Sequence, residues 1–284
     1  MNYRHAFHAG NFADVLKHAV LAQCLAALNR KDQPWRVIDT HAGPGLYDLA
    51  GDKARRTGEA EDGVGRLTQE GAPALEDLLA PYRAVLAEAR SRYGETIYPG
   101  SPAIARLMMR PSDRAVFCEK HPDEALALTR YARNDPRVKV VELDGWIGLK
   151  ANLPPKERRG LVVIDPPFEA ADEMERLPSL LAAAWRKWQT GQYLVWYPIK
   201  DLRRTDAFYT AIAASGLQKV LRIELAIANP AQADGMVGTG LLLINPPWPL
   251  ENTLKSALPE LLKLFQRKND GFWRCDWLVP EKTA

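Results

Sequence analysis

The 284-residue chain has only three cysteines, and no two of them form a C-x-x-C pair. Cys24, Cys118 and Cys275 are too few and too widely spaced for a disulfide framework, which predicts reduced thiols and a cytoplasmic protein. An N-terminal apolar segment of the signal-peptide kind is missing. No apolar run approaches the ~18 residues that a bilayer-spanning helix needs, so we expect no membrane partner.

An excess of charge of one sign is also missing. The chain has 38 Lys and Arg residues against 35 Asp and Glu, for a formal net charge of +3. This balance excludes a protein that binds nucleic acid through bulk positive charge. With 26% charged and 46% hydrophobic residues, the composition also excludes disorder, collagen-like structure and a coiled coil. We expect a single domain over residues 1–284.

Seven short β-rich runs are separated mostly by helical patterns, which predicts an α/β fold with a mainly parallel seven-stranded sheet. In such a fold the carboxyl ends of the strands form one edge, and ligands bind there. The runs are Trp35–Asp39, Ala115–Glu119, Val138–Glu142, Leu161–Asp165, Tyr193–Tyr197, Val220–Leu225 and Gly240–Asn245.

One connection is too long for an ordinary crossover. About 75 residues separate the first two runs. Residues 51–63 have a loop-like composition, and Ala74–Arg92 has the pattern of an amphipathic helix. We therefore expect a helical insertion over residues 50–98 within the single domain.

A glycine-rich turn follows the first run in the segment Asp39-Thr-His-Ala-Gly43-Pro-Gly45. Gly43 and Gly45 let the backbone approach a ligand where a Cβ would clash, although a plain structural turn uses the same pattern. A dinucleotide fold places its ribose-binding acid ~20 residues after the glycines. Here the next acid at a strand end is Glu119, and no third glycine completes G-x-G-x-x-G, which disfavours a nicotinamide cofactor.

Acids at successive strand ends favour a different cofactor. Asp39, Glu119 and Asp144 follow the first three runs, and carboxylates accept hydrogen bonds from the amine and hydroxyl groups of S-adenosyl-L-methionine. We expect Glu119 to bind the ribose hydroxyls and Asp144 the adenine edge, with Gly145 leaving room. Each acid alone could instead be a solvated strand end or a helix cap.

The segment Asp165-Pro-Pro-Phe168 directly follows a buried run. Its prolines stiffen the loop and remove amide donors, so that carbonyls face the cleft. An aromatic amine is a poor nucleophile, and hydrogen bonds from its N–H groups to Asp165 and to the Pro166 carbonyl would favour its attack on a methyl group. Phe168 would stack on a flipped base. The alternative is a proline loop with a core phenylalanine.

A second such segment, Asn245-Pro-Pro-Trp248, follows the last run. By itself it is an equally good amine-binding loop. A catalytic loop should instead adjoin the first strand, where the strand order reverses. We therefore expect a structural role for this segment.

Several segments resemble the RlmJ family, bacterial 23S rRNA adenine-N6 methyltransferases, from residue 3 to about residue 280. They are Tyr3-Arg-His-Ala-Phe-His-Ala-Gly-Asn-Phe-Ala-Asp-Val-Leu-Lys-His18, Asp39-Thr-His-Ala-Gly-Pro-Gly-Leu-Tyr47, Arg56-Thr-Gly-Glu59, Tyr98-Pro-Gly-Ser-Pro102, Arg159-Gly-Leu-Val-Val-Ile-Asp-Pro-Pro167, Trp196-Tyr-Pro198 and Ile244-Asn-Pro-Pro-Trp248.

The resemblance implies a Rossmann-like class I methyltransferase with a small helical insertion. It also implies S-adenosyl-L-methionine as cofactor and 23S rRNA, protein-free or early in assembly, as substrate. Phe168 stands where many members have Tyr, which keeps a stacking ring but removes a hydroxyl. Tyr3 matches a residue on the substrate side, and the residues that match the cofactor pocket are His18, His41, Ser101, Glu119, Asp144, Gly145 and Asp165, the last also catalytic.

Four of the five histidines fall within the first 41 residues. A metal-dependent hydrolase built on them is one alternative, but their spacing matches no zinc pattern, and we expect no metal. The resemblance instead places this segment beside the cofactor and substrate. We add His5 and Lys17 as candidate contacts to the flipped nucleotide or its phosphates.

Basic residues after the fifth run could hold RNA. They are Lys200, Arg203 and Arg204. Single surface cations are more often solvated charges than phosphate contacts. The prediction of RNA binding therefore depends on these residues acting as a set. A second alternative is a non-catalytic RNA-binding or ribosome-assembly module that kept the fold.

Overall fold

The structure is a computed structural model that describes residues 7–68, 72–170, 172–233, 236–267 and 269–281, without the side chains of 53–55. Two predicted substrate residues, Tyr3 and His5, lie outside the described residues.

Helices and strands alternate along most of the described chain. The helices are α1 (Phe12–Asn29), α2 (Asp52–Thr57), α3 (Glu59–Asp62), α4 (Pro73–Tyr93), α5 (Ser101–Met108), α6 (Pro122–Tyr131), α7 (Gly145–Ala151), α8 (Glu173–Lys187), α9 (Leu202–Ala214) and α10 (Leu250–Phe265), with a 3₁₀ turn at Val64–Thr68. The strands are β1 (Arg36–Asp39), β2 (Leu46–Asp48), β3 (Ile97–Pro99), β4 (Arg114–Glu119), β5 (Val138–Glu142), β6 (Gly160–Ile164), β7 (Gln192–Ile199), β8 (Val220–Ala226), β9 (Gly238–Ile244) and β10 (Phe272–Val279).

One mixed sheet organises the fold, with the strand order β10-β8-β9-β7-β6-β1-β4-β5. The five strands from β7 to β5 are parallel, and β9 is antiparallel to both β7 and β8. All seven predicted strands are confirmed. The order reverses beside β1, so the carboxyl ends of β1, β4 and β6 meet where a ligand crevice is expected.

The prediction of seven strands is wrong by one, because β10 adds an eighth at the edge, antiparallel to β8. Arg274 and Asp276 interrupt the apolar pattern of this segment, which is why it did not read as a strand. Both charges are matched on β8: Asp276 pairs with Arg222 at 2.7 Å, and Arg274 with Glu224 at 3.2 Å.

Helix α1 is the most deeply buried element near the site. Asn11 caps its first turn, since its side-chain oxygen accepts from the amides of Ala13 and Asp14, both at 3.0 Å. The polar residues Asp14, Lys17 and His18 are buried along with its apolar residues. Because buried polar groups need partners, this helix delivers charged side chains to a fixed place inside the protein.

Two hydrophobic clusters cover the two faces of the sheet. Leu16 of α1 and Leu79 of α4 share one cluster with Leu258 of α10, whereas Leu181 of α8 and Phe208 of α9 belong to the other. Helices therefore pack on both faces of the sheet. No helix among the described residues is long and apolar enough to cross a bilayer.

The stretch 50–98 holds α2, α3, α4 and β3 in its described parts, and β3 pairs with β2 in a separate two-stranded sheet. Leu78, Leu79 and Tyr82 of α4 are fully buried in the cluster that contains α1. A helical insertion in one domain stays a prediction, and this shared core supports it.

Candidate active site

A cavity of about 720 Å³ opens at the carboxyl ends of the strands. One part of it, which we call the acidic lobe, lies over β1, β4 and β5 and is lined by Glu119, Asp144 and Gly145. The other, the aromatic lobe, lies over β6 and β7 and is lined by Phe168 and Trp196.

Most of the predicted site residues in the described chain line this cavity, although they come from many separate segments. They are Lys17, His18, His41, Gly43, Ser101, Glu119, Asp144, Gly145, Asp165, Pro166, Phe168 and Lys200. Three other predicted residues, Gly45, Arg203 and Arg204, are not among those that line the cavity. The carbonyl of Gly45 turns away to accept from the amide of Gly100 at 2.9 Å, and both arginines are exposed in the first turn of α9.

Glu119 is the fixed acceptor of the acidic lobe. Its carboxylate accepts from the backbone amide of Gly43 at 2.8 Å and from that of His121 at 2.7 Å, and the residue is 7% exposed. Gly43 has φ +64, and a Cβ there would lie 2.5 Å from the hydroxyl of Tyr47. The turn therefore requires glycine, and it holds the carboxylate in one orientation toward the cavity.

Asp144 lies across the acidic lobe as the N-cap of α7. One oxygen accepts from the amide of Trp146 at 3.0 Å, and the other is 3.1 Å from Nζ of Lys120. Burial raises the pKa of this carboxyl, but these hydrogen bonds outweigh it and lower the pKa overall. Asp144 is therefore an ionised acceptor at neutral pH.

Gly145 provides the space between these groups. A Cβ at this position would lie 2.2 Å from the carbonyl of Thr40 and 2.7 Å from the ring of His41. The Thr40 hydroxyl donates to the carbonyl of Val163 at 3.0 Å, so it accepts from Nδ1 of His41 at 2.8 Å. Burial lowers the pKa of His41 to about 4, so its ring is neutral.

Asp39, at the end of β1, is buried, and it is not among the residues that line the cavity. Burial raises the pKa of its carboxyl to about 7, although a hydrogen bond from Ser101 lowers it. This acid is therefore partly protonated at neutral pH, and its direct contact with a cofactor amine stays a prediction.

Lys17 and Asp165 meet between the two lobes. Nζ of Lys17 lies 2.6 Å from Oδ2 of Asp165 and 2.9 Å from Oδ1 of Asp14. Burial alone lowers the pKa of Lys17, but the two carboxylates raise it well above the usual range. The ammonium of Lys17 therefore sets the position of Asp165, and the contact of Lys17 with a nucleotide stays a prediction.

Phe168 lies beyond Asp165 with φ +51, an uncommon conformation for a residue with a side chain. Its ring meets Trp196 edge to face at a centroid distance of 5.7 Å. The indole donates to the hydroxyl of Thr239 at 2.8 Å, which fixes its plane. The two rings form an aromatic wall against which a planar group can stack.

His18 is connected to the stretch 50–98 by a chain of buried hydroxyls. Its Nδ1 lies 2.7 Å from the hydroxyl of Tyr98, which lies 2.9 Å from that of Tyr82 on α4. This pair of tyrosines was not predicted to support the site, because the two residues are 16 positions apart and in different elements.

The histidines of the N-terminal segment have separate partners. Nδ1 of His8 lies 3.0 Å from Glu59, whereas His18 and His41 contact Tyr98 and Thr40. Within the described ranges no group of three or more His, Cys, Asp or Glu residues could hold a metal ion.

Further lining residues were not predicted as site residues, among them His8, Trp196, Arg66 and Arg267. The motif Trp196-Tyr-Pro198 carried a signal for the tryptophan. No sequence signal pointed to Arg66, which donates to the carbonyl of Leu264 at 2.9 Å and so brings the 3₁₀ turn to the end of α10.

The segment Asn245-Pro-Pro-Trp248 lies at the opposite edge of the sheet. Because β9 is antiparallel to β7, its end at Ile244 pairs with Tyr193, near the start of β7. The side-chain amide of Asn245 donates to the carbonyls of Gln189 at 2.8 Å and Gly191 at 2.7 Å. These bonds support a structural role for Asn245, which stays a prediction.

Comparison with known proteins identifies close relatives. The profile of a family described as "Ribosomal RNA large subunit methyltransferase D, RlmJ" matches residues 32–279. The "Ribosomal RNA large subunit methyltransferase J" of Escherichia coli (strain K12) is 39% identical, and that of Haemophilus influenzae (strain ATCC 51907 / DSM 11121 / KW20 / Rd) is 38% identical. Each alignment covers 99% of this chain and 100% of the relative.

A crystal structure from Legionella pneumophila strain Philadelphia 1 superposes with a TM-score of 0.84 at 36% identity. The match covers 95% of this chain and 98% of that one. The similarity therefore extends over nearly the whole length of both chains.

Proposed function

The chain belongs to the RlmJ family of ribosomal RNA large subunit methyltransferases, and we propose that it methylates N6 of a flipped adenine in 23S rRNA, using S-adenosyl-L-methionine. The observation that carries the proposal is the position of Asp165, held by Lys17 at 2.6 Å between an acidic lobe and an aromatic wall. Because the relatives act on ribosomal RNA and the three cysteines are free thiols, we place the reaction in the cytoplasm.

The acidic lobe suits the donor groups of S-adenosyl-L-methionine. Glu119 accepts from the ribose hydroxyls, since its backbone partners leave it facing the cavity. Asp144 accepts from the adenine edge in the space that Gly145 leaves by lacking a Cβ. When bound, the cofactor supplies an electrophilic methyl group.

Asp165 and the Pro166 carbonyl hold the substrate amine. They accept its two N–H groups and so direct its lone pair toward the methyl group. Lys17 keeps the Asp165 carboxylate in place during this contact, because its own position is set by Asp14. Most of the rate enhancement then comes from alignment of the amine with the methyl carbon, which removes an entropic barrier.

The aromatic wall accepts the flipped base. Phe168 stacks on the ring, and its edge contact with Trp196 keeps it in place. Removal of a base from its helix costs a few kcal/mol, which such stacking offsets. Lys200, Arg66 and Arg267 line the cavity, and we assign them to the phosphates beside the flipped nucleotide.

The test is transfer of labelled methyl from S-adenosyl-L-methionine to a protein-free 23S rRNA transcript, followed by mass spectrometry of the nucleosides. We expect N6-methyladenosine with the wild type and none with Asp165→Ala. The control is Asp172→Ala, because Asp172 is exposed and pairs with Arg176 only at 3.6 Å. Full activity of Asp165→Ala would contradict the mechanism.

A binding measurement distinguishes the non-catalytic alternative. We expect calorimetry to detect S-adenosyl-L-methionine binding by the wild type and a large loss of affinity with Glu119→Ala. No affinity in the wild type would favour an RNA-binding module without catalysis.

A further inference from the structure

The amino ends of the central strands form a second charged surface, on the side of the sheet opposite the cavity. Six cations lie at or near the starts of β1, β4 and β6. The carboxylates near them are Asp32, Asp113 and Glu157, of which Glu157 pairs with a further cation, Arg36, at 2.8 Å. We call this surface the basic edge; its cations are Arg30, Lys31, Arg110, Arg114, Arg158 and Arg159.

Two guanidinium groups of the basic edge lie side by side. Arg110 and Arg159 donate to the same carbonyl oxygen, that of Gln33, at 3.0 Å and 2.6 Å. Arg110 also bonds to the buried carboxylate of Asp113, whereas Arg159 donates to the carbonyls of Gln33 and Leu28. Burial, and then the charge of Arg110, lower the pKa of Arg159.

Two cations held this close without a carboxylate for each create a local excess of positive charge. Such an excess attracts anions, and phosphates match the planar donors of arginine well. The charge is fixed in position because backbone carbonyls hold both guanidinium groups.

Trp248 extends this surface with an aromatic ring. It is 84% exposed, which is the largest exposed fraction of any large apolar side chain in the described part of the chain. Its backbone carbonyl accepts from Arg30 at 3.3 Å, so this residue lies next to the basic edge. The loop is held by Asn245, which bonds to two carbonyls before β7.

An exposed ring beside fixed cations is the combination that binds RNA strands, since phosphates meet the cations and a base stacks on the ring. We propose that the basic edge and Trp248 form a second RNA-binding surface, which contacts a segment of the substrate RNA remote from the flipped nucleotide. This inference rests on the proposed function, because the RNA is the one methylated in the cavity.

The position of the surface limits what can reach it. A five-residue strand such as β6 spans roughly 16 Å, and this length of sheet separates the two edges. A short oligonucleotide that fills the cavity cannot also occupy the basic edge, whereas a folded transcript can extend around the molecule. The surface therefore contributes only to the binding of long RNA.

The experiment compares two probes, a protein-free 23S rRNA transcript and a short adenine-containing oligonucleotide. The variant combines Arg30→Gln, Lys31→Gln and Trp248→Ala. The matched control combines Arg133→Gln, Lys139→Gln and Leu126→Ala, which removes two exposed cations and an exposed apolar side chain beside α6 and β5. Wild-type methylation of the transcript is measured first, so that failure of the proposed function is recognised separately.

We expect the variant to bind the transcript roughly tenfold more weakly, with a slope of log affinity against log salt shallower by about 2. Its affinities for the oligonucleotide and S-adenosyl-L-methionine should match those of the control, which shows that the fold is intact. A second variant, Lys31→Gln with Trp248→Ala, keeps the Arg30 contact and should show the same loss in part. Transcript affinity and salt slope equal to those of the control would overturn the proposal.

Discussion

Nζ of Lys17, on a buried helix, lies 2.6 Å from the carboxylate of Asp165, 148 residues later in the chain. The contact crosses from α1 to the loop after β6, so the two elements fix each other's position. Asp14 holds the ammonium from the other side at 2.9 Å. A buried cation between two carboxylates therefore fixes the position of Asp165, the acceptor that we propose for the substrate amine.

This relationship predicts the effect of Lys17→Met. Removal of one partner from a buried ion pair leaves uncompensated charge, so we expect a loss of ~3–5 kcal/mol in the free energy of unfolding. The denaturation midpoint measures this loss. Adding Asp14→Asn to the variant should restore part of the stability, while methyl transfer stays low because Asp165 has lost its partner.

The matched control for that variant is Lys263→Met, since Lys263 pairs with Glu260 at 2.8 Å on an exposed face. We expect its denaturation midpoint to equal that of the wild type. An equal loss in the two variants would show that the Lys17 contact has no special role.

The aromatic wall predicts a difference between two substitutions of Phe168. Stacking of a base on an aromatic side chain contributes ~1–3 kcal/mol. Phe168→Ala should therefore raise KM for RNA by about tenfold or more, whereas Phe168→Tyr keeps the ring and should stay close to the wild type. Steady-state kinetics with a fixed transcript decides this, and equal KM values for the two variants would exclude stacking.

The hydroxyl chain from Tyr82 to His18 predicts a remote effect on cofactor binding. Tyr82→Phe leaves the Tyr98 hydroxyl with one partner fewer, so the ring of His18 is less firmly held. We expect the Kd for S-adenosyl-L-methionine to rise by roughly threefold to tenfold, measured by calorimetry, with little change in kcat.

The control for this prediction is Tyr193→Phe. Tyr193 is also buried, and its hydroxyl donates to the carbonyl of Trp188 at 3.0 Å on the other face of the sheet. It should lose comparable stability without a change in cofactor affinity. A parallel change in Kd would indicate a general effect of stability.

Asp39 predicts a pH dependence of stability. Its carboxyl has a pKa of 3.8 in its ordinary state, and burial raises the pKa to about 7 in the folded protein. Between these values the folded state binds more protons than the unfolded state. The contribution of this residue to the free energy of unfolding is therefore complete below about pH 4 and is lost as the pH rises through 7.

Denaturant titrations from pH 4 to pH 8 test this contribution. The free energy of unfolding should decrease less with rising pH in Asp39→Asn than in the wild type, because the amide does not titrate. Identical pH dependence in the wild type and the variant would show that Asp39 ionises normally in the fold.

Much of the fold was predictable because the strands have local signatures. Apolar runs followed by polar residues identified all seven expected strands, whereas the antiparallel direction of β9, which puts Asn245-Pro-Pro-Trp248 at the opposite edge of the sheet, was not predicted. The eighth strand was missed because Arg274 and Asp276 break its apolar pattern, and only pairing with Arg222 and Glu224 of β8 balances those charges.

The site was less predictable than the fold. The residues at strand ends, such as Glu119 and Asp165, were identifiable because the carboxyl ends of parallel strands always share one edge. The partners of Lys17 were not, because its side chain could reach solvent, phosphate or carboxylate with equal ease. Arg66 and Arg267 line the cavity because the 3₁₀ turn and α10 pack together, which no local pattern encodes.

The amino-acid sequence by itself determined where seven strands of the main sheet lie, which loops carry proline or glycine, and which acids lie at the ligand edge, since these depend on neighbouring residues along the chain. The tertiary structure decided which charges meet. It buried Lys17 between Asp14 and Asp165, and it set Arg110 beside Arg159 at one carbonyl. Such contacts depend on how distant elements pack, because the strength of an ion pair is set by distance and burial rather than by separation along the chain.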